Sequence, residues 1–567
     1  MIEIITSSGV SLDLEPDSSF DIEINQPMLS SDHIPVPYST PISFLPSQKN
    51  CREFGYIAAM KFEPTVQKIK AYIYAGGIQL MAGILEYDSI DDDGTINYTF
   101  AGKSLFEKLE NMDLGDSACL PTISQSDTQL REIRNGEHSV IKTPLLINQA
   151  AVTNVVYEPY PEGSAQQVSL EEKYHNHPST LVTMFTPAVS VYHLLCDDFE
   201  RNFINLNIDS SILEKVKLLY ILGQYKPTET HYITGHPVGS VRIGDTLPKI
   251  NKLDFLKNIA RIFCAAYYTD GANVAMKSAS SVIEASDALD WSDKVSDKAA
   301  LSIERPMSYI MKFANEESDN TYDASNLKDD LNDGDLYNRD SYTALMEHLQ
   351  EDEYRAIVHT PTGDVFSGKT QNVVKGSILP AYLIDIILQH LNSIDTTGEV
   401  ESADSTFDNS IDFKLVRCVP DKIRMDYRDY DLNMVAPVIS FPATGTERGS
   451  EVYIGVFHEN QLCDKGHVII HDPELSQYVP DAFCDYDIGL SLDPHALSGR
   501  HQAFIQWIGK RRQTVTADVN LSLFDVANFR MFKKVFFAGR QWIVRKLTIT
   551  LLAKSDNIEA SGEFISV

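Results

Sequence analysis

Apolar residues recur at steps of three and four near the middle of the chain, and this spacing predicts a helix. The apolar face of that helix would carry Leu253, Leu256, Ile259, Ala260 and Phe263. Asn251 stands where an N-cap is needed, and Asp254 follows three residues later in the position of a capping-box acid. We therefore expect Asn251 to cap this helix.

After this helix the period of the pattern changes to that of a β-hairpin. Strands are predicted over Cys264–Thr269 and Asn273–Lys277, with a tight turn at Asp270-Gly271 between them. The segment Ala288–Lys294 closes the unit and contains Trp291, one of only three tryptophans in the chain. We expect the ring of Trp291 to be buried against the helix.

Both ends of the chain alternate with a period of two, which predicts β-rich regions over about residues 1–130 and 501–567. The first region contains predicted strands at Phe20–Ile24, Ile69–Tyr74, Ile78–Tyr87 and Thr95–Phe100, a turn at Asp93-Gly94 and a short helix over Lys103–Leu109. The last region contains predicted strands at Thr514–Leu523, Lys534–Phe537, Gln541–Leu552 and Ile558–Ser566, and a short helix over Leu523–Ala527.

The region between these ends gives a mixed pattern. Helices are predicted at Pro187–Cys196, Ser211–Leu222 and Pro380–Leu391, and strands at Ala356–His359, Asp364–Phe366, Val452–Phe457 and His467–Ile470. The middle of the chain is therefore expected to hold smaller units of both kinds.

Length and composition indicate a folded chain of several domains. The 567 residues correspond to roughly three or four domains, and 43% hydrophobic residues are enough for packed cores. No apolar run approaches the roughly 18–20 residues that a membrane helix needs, and Met1–Ile5 lacks the features of a signal peptide. We expect a product that is made in soluble form and stays in the cytoplasm until it is assembled or released.

The cysteines indicate neither a disulfide framework nor a zinc site. Seven of them are widely scattered without a CxxC pair, at Cys51, Cys119, Cys196, Cys264, Cys418, Cys463 and Cys484. The charge is more informative, because 48 basic and 80 acidic residues give a net charge of −32. Such a chain repels nucleic acid rather than gripping it.

One catalytic string matches in its letters. Gly363–Thr370 fits the P-loop pattern, with Lys369 for phosphates and Thr370 for magnesium. A P-loop needs a helix that opens at the lysine, whereas the residues that follow favour a strand and soon reach a glycine. We interpret the match as a chance occurrence in a hairpin.

Two further segments resemble metal sites only superficially. His175 and His177 lack a third ligand at a recognisable spacing. The acidic run from Glu316 to Asp340 fails as a calcium loop, because Leu331 falls at a ligand position. We interpret both segments as solvated loops, and we predict no catalytic residue, no cofactor-binding residue and no metal ligand.

The order of the central unit resembles that of phage tail hub proteins. The match consists of the helix LDFLKNIARIF, the hairpin, the DWSDK segment and the extended run Ser308–Ala314. The opening stretch SLDLEPDSSFDIEINQPMLS and the closing stretch KKVFFAGRQWIVRKLTITL are also similar to segments of that family. The resemblance is closest to proteins of phages and prophages of Bacteroidetes, and more distant to baseplate hub and spike–hub proteins of contractile injection systems.

The resemblance implies an α+β, mainly β fold: a multi-domain hub with two tail-tube-like β-barrel domains of similar topology and smaller α/β inserts. The expected units are an N-terminal tube-like barrel over 1–130, a mixed α/β connection over 131–245, the helix–hairpin unit over 246–315, an acidic insertion and helix over 316–410, a β-rich part over 411–500 and a C-terminal barrel segment over 501–567.

The same resemblance implies a structural virion protein without enzymatic activity, acting in genome ejection. Its copies, three in number, would form a ring between the tail tube and the tail tip, with the tape measure protein, distal tail proteins and fibres or a spike as neighbours. Genomic DNA would pass through without specific binding, and there would be no stable membrane insertion. Acids such as Glu86, Asp91 and Asp518 would line the DNA path. A peptidoglycan hydrolase and a glycan-binding tail-tip adhesin remain as alternatives.

Overall fold

The fold is described from a computed structural model of the whole chain. The structure describes residues 2–30, 35–55, 68–102, 109–123, 133, 138–142, 146–148, 151–153, 187–201, 205–223, 241–270, 273–314, 354–360, 363–368, 406–415, 448–458, 461–463, 467–471, 483–487, 490, 492, 494–553 and 558–567. Outside these ranges lie the His175–His177 pair, the acidic run Glu316–Asp340, the predicted helix Pro380–Leu391 and most of the predicted helix Lys103–Leu109.

The first part of the described chain is almost entirely β. Its elements are β1 (Ile2–Thr6), β2 (Ser11–Leu12), β3 (Ser19–Asn25), a 3-10 turn (Pro27–Leu29), β4 (Tyr38–Ser39), β5 (Ile42–Phe44), α1 (Gln48–Glu53), β6 (Ile69–Ala75), β7 (Ile78–Ile90), β8 (Ile96–Gly102), a 3-10 turn (Leu114–Asp116) and β9 (Thr122–Ile123).

The second part alternates helices and short strands. Its elements are β10 (Ile141–Lys142), β11 (Leu146–Asn148), β12 (Ala151–Thr153), β13 (Ala188–Ser190), α2 (Val191–Arg201), β14 (Asn205–Ile208), α3 (Ser210–Val216), β15 (Leu219–Leu222), β16 (Val241–Arg242), a 3-10 turn (Ile243–Thr246), α4 (Lys252–Ile262), β17 (Ala265–Asp270), β18 (Asn273–Ser278), α5 (Ala279–Glu284), β19 (Ala288–Asp290), β20 (Val295–Glu304) and β21 (Ser308–Lys312).

The last part returns to long strands. Its elements are β22 (Tyr354–Thr360), β23 (Gly363–Gly368), β24 (Thr406–Asp408), β25 (Lys414–Leu415), β26 (Tyr453–His458), β27 (Gln461–Cys463), β28 (His467–His471), β29 (Phe483–Asp487), α6 (Pro494–Arg500), α7 (Gln502–Ile508), β30 (Arg512–Val519), α8 (Leu523–Asn528), β31 (Lys534–Phe537), β32 (Arg540–Leu552) and β33 (Ile558–Ser566).

One sheet of 14 strands joins the two ends of the chain. Its strand order is β2-β1-β6-β7-β8-β4-β3-β32-β33-β30-β20, with β5 on β8 and with β31 and β19 extending from β32. The central joint is the antiparallel pair β3–β32, in which Ile22 lies opposite Ile549 across seven paired positions. Apart from β9, which pairs with β16, the described strands of regions 1–130 and 501–567 therefore belong to a single sheet.

This sheet encloses an apolar core, here called the sheet core, to which both ends of the chain contribute. It includes Phe20, Tyr98, Trp291, Val544 and Phe564 among its buried side chains. An isolated β-bridge between Leu14 and Phe44 brings the residues after β2 next to β5. The first strands thus curl around the stacked rings of Phe54 and Tyr98, whose centroids are 4.4 Å apart.

A second apolar core, here called the helix core, lies under α4 and its hairpin. It includes Phe255, Leu256, Ile259 and Tyr267 with residues from β13, β15, β26 and α7. The hairpin β17–β18 is antiparallel, and β14 pairs with β18 in parallel. The helix core therefore draws mainly on the middle of the chain, with contributions from the C-terminal part such as Ile543 and Ile565.

The predicted central unit is confirmed in its local structure. The side chain of Asn251 accepts a hydrogen bond from the backbone N–H of Asp254 at 2.7 Å, which caps α4 as expected. The hairpin pairs from Ala265 with Ser278 to Asp270 with Asn273. The predicted strands of both ends and the short helix α8 are also present, and the fold is mainly β with helices.

Three expectations differ from the structure. Two separate barrels are not confirmed, because the described strands of both ends, apart from β9, form one sheet, and no closed barrel is found among them. The helical pattern over Ser211–Leu222 is a helix only to Val216, since Leu219–Leu222 is a fully buried strand. Similarly, Ala188–Ser190 is a strand that precedes the helix α2. Buried strands are apolar on both faces, so their pattern mimics a helix face.

The position of Trp291 is partly as predicted. Its ring is buried, at 2% exposure, but it contacts the sheet core rather than the face of α4. Its ring centroid lies 5.4 Å from that of Phe529 and 6.2 Å from that of Phe564. The cause is the pairing of β19 with β31, which draws the segment of Trp291 toward the C-terminal strands.

Candidate assembly surface

The large sheet has one face against the sheet core and one face toward solvent. The outer face can be followed from strand to strand by the residues that lie opposite each other. In the N-terminal part Glu86 lies opposite Thr99, and Tyr38 lies opposite Glu23. In the C-terminal part Ser561 lies between Thr548 and Asp518. Side chains on one strand face the same way at every second residue. Glu86 in the N-terminal part and Asp518 in the C-terminal part therefore share this outer face.

Acidic residues outnumber basic ones on the outer face. By register, its acids include Asp21, Glu23, Glu86, Asp518, Glu559, Glu563 and Glu304, and its bases include Lys70, Lys546 and Arg512. Lys68 and Arg545 also pair with acids of this face. Asp91, which the sequence grouped with Glu86 and Asp518, lies instead in the turn after β7, where it accepts a hydrogen bond from Asn97 at 3.0 Å.

The central joint of the sheet is reinforced by charge on the outer face. The carboxylate of Glu23 on β3 lies 2.7 Å from Nζ of Lys546 on β32, and the hydroxyl of Tyr38 donates to it. The bond from Lys546, followed by the bond from Tyr38, lowers the pKa of Glu23. The carboxylate therefore stays ionised and ties three strands together.

The sheet ends at a long exposed strand, β20. It pairs with β30 on one side, and no described strand pairs with its other side. Leu301 and Ile303 are 64% and 67% exposed. Leu301 lies opposite the buried residue Val515, so these aliphatic side chains continue the core face of the sheet beyond its last covered strand.

The C-terminal end of β20 is fixed by a cluster of ion pairs. Glu304 lies 3.1 Å from Arg512 and also pairs with Arg545, which in turn contacts Glu563 at 2.8 Å. The guanidinium of Arg512 lies 4.5 Å from the ring of Trp507 and is almost fully buried. Burial lowers the pKa of Arg512, and Glu304 opposes that shift. The buried charge is thus compensated by its partner.

A buried polar cluster holds the end of α4 in the helix core. Nδ2 of Asn409 donates to the carbonyl of Arg261 at 2.8 Å, and Nε2 of His501 lies 3.1 Å from the carbonyl of Ile262. The hydroxyl of Tyr309 lies 2.8 Å from Nδ1 of His501. These side chains satisfy carbonyls that the helix end leaves without an internal partner.

Cys264 follows α4 in the left-handed conformation, with φ of 44°. Burial raises the pKa of its thiol to about 12. A thiol needs its thiolate form to act as a nucleophile, so burial beside Tyr309 disfavours nucleophilic chemistry at Cys264.

The P-loop string is the other candidate site whose position the structure describes in part. The P-loop string runs through strand β23, which pairs with β22 from Thr360 opposite Gly363 onward, while Lys369 and Thr370 lie outside the described residues. In the described part of the chain, no group of three or more metal-binding side chains occurs. None of its helices is long and apolar enough to cross a membrane.

The exposed strand β20 was not predicted from the sequence. Its signal is short, because only Leu301, Ser302, Ile303 and Glu304 alternate between apolar and polar residues. The segment Ser296–Lys298 before them is irregular, and the pairing register with β30 shifts between Val295 and Ala299. For the outer face, the sequence predicted only individual acids, because the pairing register between strands cannot be read from the sequence of one strand.

Comparisons with known proteins give similarity to solved structures alone. No protein-family model matches the chain, and no curated protein matches it. The 43 kDa tail protein of prophage MuSo2 from Shewanella oneidensis is 9% identical with a TM-score of 0.34, covering 100% of this chain and 98% of that one. The tail protein from Neisseria meningitidis MC58 is 7% identical with a TM-score of 0.33, covering 100% and 96%.

A third similar structure is the E. coli c3393 protein, a component of the type VI secretion system. It is 6% identical with a TM-score of 0.29, and the match covers 100% of this chain and 77% of that one. These three structures are two tail proteins and a secretion-system component.

Proposed function

We propose that this chain is a structural tail protein of a phage or phage-like injection device, and that its copies form the hub ring between tail tube and tail tip. The observation that carries the proposal is the joint between β3 and β32, which unites both ends of the chain in one sheet. The order of helix, hairpin and DWSDK segment, which resembles that of tail hub proteins, supports the same assignment.

The two faces of the sheet suit a wall around a channel. One face is packed against the sheet core, whereas the other carries Glu86, Glu23 and Asp518 among its acids. At about 0.15 M salt the Debye length is roughly 8 Å. Only acids close to the passing genome would keep it from adhering, so we propose that this outer face borders the DNA path.

The partners follow from this role. We propose a ring of three copies in the virion tail that contacts the tail tube or distal tail proteins, the tape measure protein and fibres or a spike. In this proposal the chain contributes no catalytic step, uses no cofactor and does not bind the genome specifically. The residue ranges proposed above for the connecting parts, 131–245, 246–315, 316–410 and 411–500, would form the outer attachments of the ring, except for β19 and β20, which belong to the sheet.

The direct test is to locate the protein in an assembled particle. A tag at the C-terminal residue Val567, which is 46% exposed, would be labelled with gold in purified particles. We expect one cluster of label at the distal end of the tail tube and particles without tips when the gene is deleted. Label spread along the tail, or intact tips after deletion, would contradict the proposal.

A further inference from the structure

We propose that the free edge of β20 is the joint at which a second copy of this chain adds a strand to the sheet. Here the free edge means the side of β20 that faces away from β30. The choice of a second copy as occupant rests on the proposed function, in which copies form a ring, whereas the chemistry of the edge stands independently of it.

The main chain of β20 is a template for strand addition. Ten residues run along the end of the sheet, and no described strand meets the row of N–H and C=O groups on their outer side. Exposed edges of this length invite another strand, and proteins that avoid pairing shorten them or place charges and prolines in them. The segment Ala299–Ile303 contains neither a charge nor a proline.

The side chains of the edge lack an apolar cover. Ala299, Leu301 and Ile303 alternate along one face, and Ala299 and Leu301 lie opposite the buried residues Ala517 and Val515. A strand added at the free edge would continue this row and bring its own apolar residues over Leu301 and Ile303. Main-chain bonds and side-chain burial would therefore act together.

The charges of the edge favour a second copy as the occupant. The chain carries −32 overall, so most surfaces of two copies repel each other. The segment Val295–Arg305, in contrast, has two acids, Asp297 and Glu304, and two bases, Lys298 and Arg305. This locally neutral segment can lie against another copy without that repulsion, and its charges of both signs can be matched by the neighbour.

The edge is already ordered before a partner arrives. Glu304 is held between Arg512 and Arg545, and Arg545 is held by Glu563. Because these ion pairs fix β20 against β30, little conformational entropy has to be lost when a strand is added. An ordered surface binds more tightly than a flexible one with the same contacts.

The test is the association of the full-length chain, measured by mass photometry and sedimentation over a range of concentrations. The double variant Leu301→Asp/Ile303→Asp places charges in the apolar row. We expect it to raise the dissociation constant between copies at least tenfold. The matched control is Phe524→Asp on α8, a side chain that is 70% exposed and is carried by a helix rather than by the free edge. Because Phe524 is not part of the free edge, this variant should associate like the wild type, and both variants should unfold at the wild-type temperature.

Amide hydrogen exchange provides the second measurement. Residues 299–304 should exchange more slowly in the associated wild type than in the double variant. A wild-type chain that stays monomeric, equal association of the double variant and wild type, or equal loss in the control would overturn the joint. If the double variant still formed a ring of three copies, β20 would not be the joint between copies, and the hub proposal would remain. Pairs of copies that the double variant separates would support the joint and reject the ring of three.

Discussion

The sheet core and the helix core differ in how far apart along the chain their contacts lie. In the sheet core, Phe20 lies opposite Leu551, so the contact joins the two ends of the chain. In the helix core, α4 is followed directly by the hairpin on which it packs, and the hydroxyl of Tyr267 donates to the carbonyl of Leu256 only eleven residues away. The comparison teaches that α4 and its hairpin form on local contacts and are completed by distant residues such as Asn409 and His501, whereas the sheet requires both ends of the chain to be present.

The largest expected effect comes from substituting Trp291, because this residue belongs to the sheet core alone and its loss should affect that core first. Trp291→Ala should lower the free energy of unfolding by about 3–5 kcal/mol, because a large buried aromatic side chain is removed. Urea denaturation would measure the loss. Hydrogen exchange should show that amides of β30, β32 and β33 lose protection before those of α4.

The control for this prediction is Phe524→Ala, which removes an exposed ring and should change stability little. Earlier loss of protection in α4 than in β33 would contradict the assignment of Trp291 to the sheet core. It would restore the sequence-based expectation that this ring packs on the helix.

The sequence predicted α4 and its hairpin well, which are the local part of the structure. Asn251 and Asp254 identify the start of α4, and the turn residues near Asp270 identify the hairpin, because capping and turns depend on neighbouring residues. The strands of both ends were recognised for the same reason. Their joining into one sheet was not, because the register of β3 on β32 depends on residues more than 500 positions apart, such as Phe20 and Leu551.

The candidate surface could be predicted only in part. An acidic lining was expected, and Glu86 and Asp518 do share the outer face of the sheet. The free edge of β20 escaped prediction because exposure is a property of the assembled sheet. The alternation of Leu301 and Ile303 is also compatible with a strand whose apolar face is covered.

An intermediate effect is expected from Asn409, which belongs to the helix core. Asn409→Ala removes the donor to the carbonyl of Arg261 at the end of α4. Leaving that partly buried acceptor without this bond should reduce stability by about 1–2 kcal/mol. In hydrogen exchange the loss should be confined to α4 and the hairpin. Equal loss in β32 would show that the two cores unfold as one unit.

The smallest effect is expected from the ion pair that joins β3 and β32. The pKa of Glu23 is lowered from its ordinary value of 4.5, so folding favours the ionised form. This contribution is complete above that value and is lost as the pH falls through the lower pKa of the folded state. Since the pair is partly exposed, we expect under about 1 kcal/mol.

Glu23→Gln tests this pH dependence. The variant should be less stable than the wild type at pH 7, and the difference should shrink when unfolding is repeated at increasingly acidic pH below 4.5. Ser561→Ala, on the same face but without an ion pair, is the control. A difference that stays constant across this pH range would mean that the pair does not depend on the charge of Glu23.

The central claim is that the united sheet forms the wall of a hub ring with its acidic face toward the genome. A reconstruction of the assembled tail by electron cryomicroscopy tests it most directly, because it shows both the position of the chain and the direction of each face. The account predicts a ring at the distal end of the tube, with Glu86, Glu23 and Asp518 bordering the channel. A channel lined by neutral or basic residues, with these acids on the outside, would contradict it.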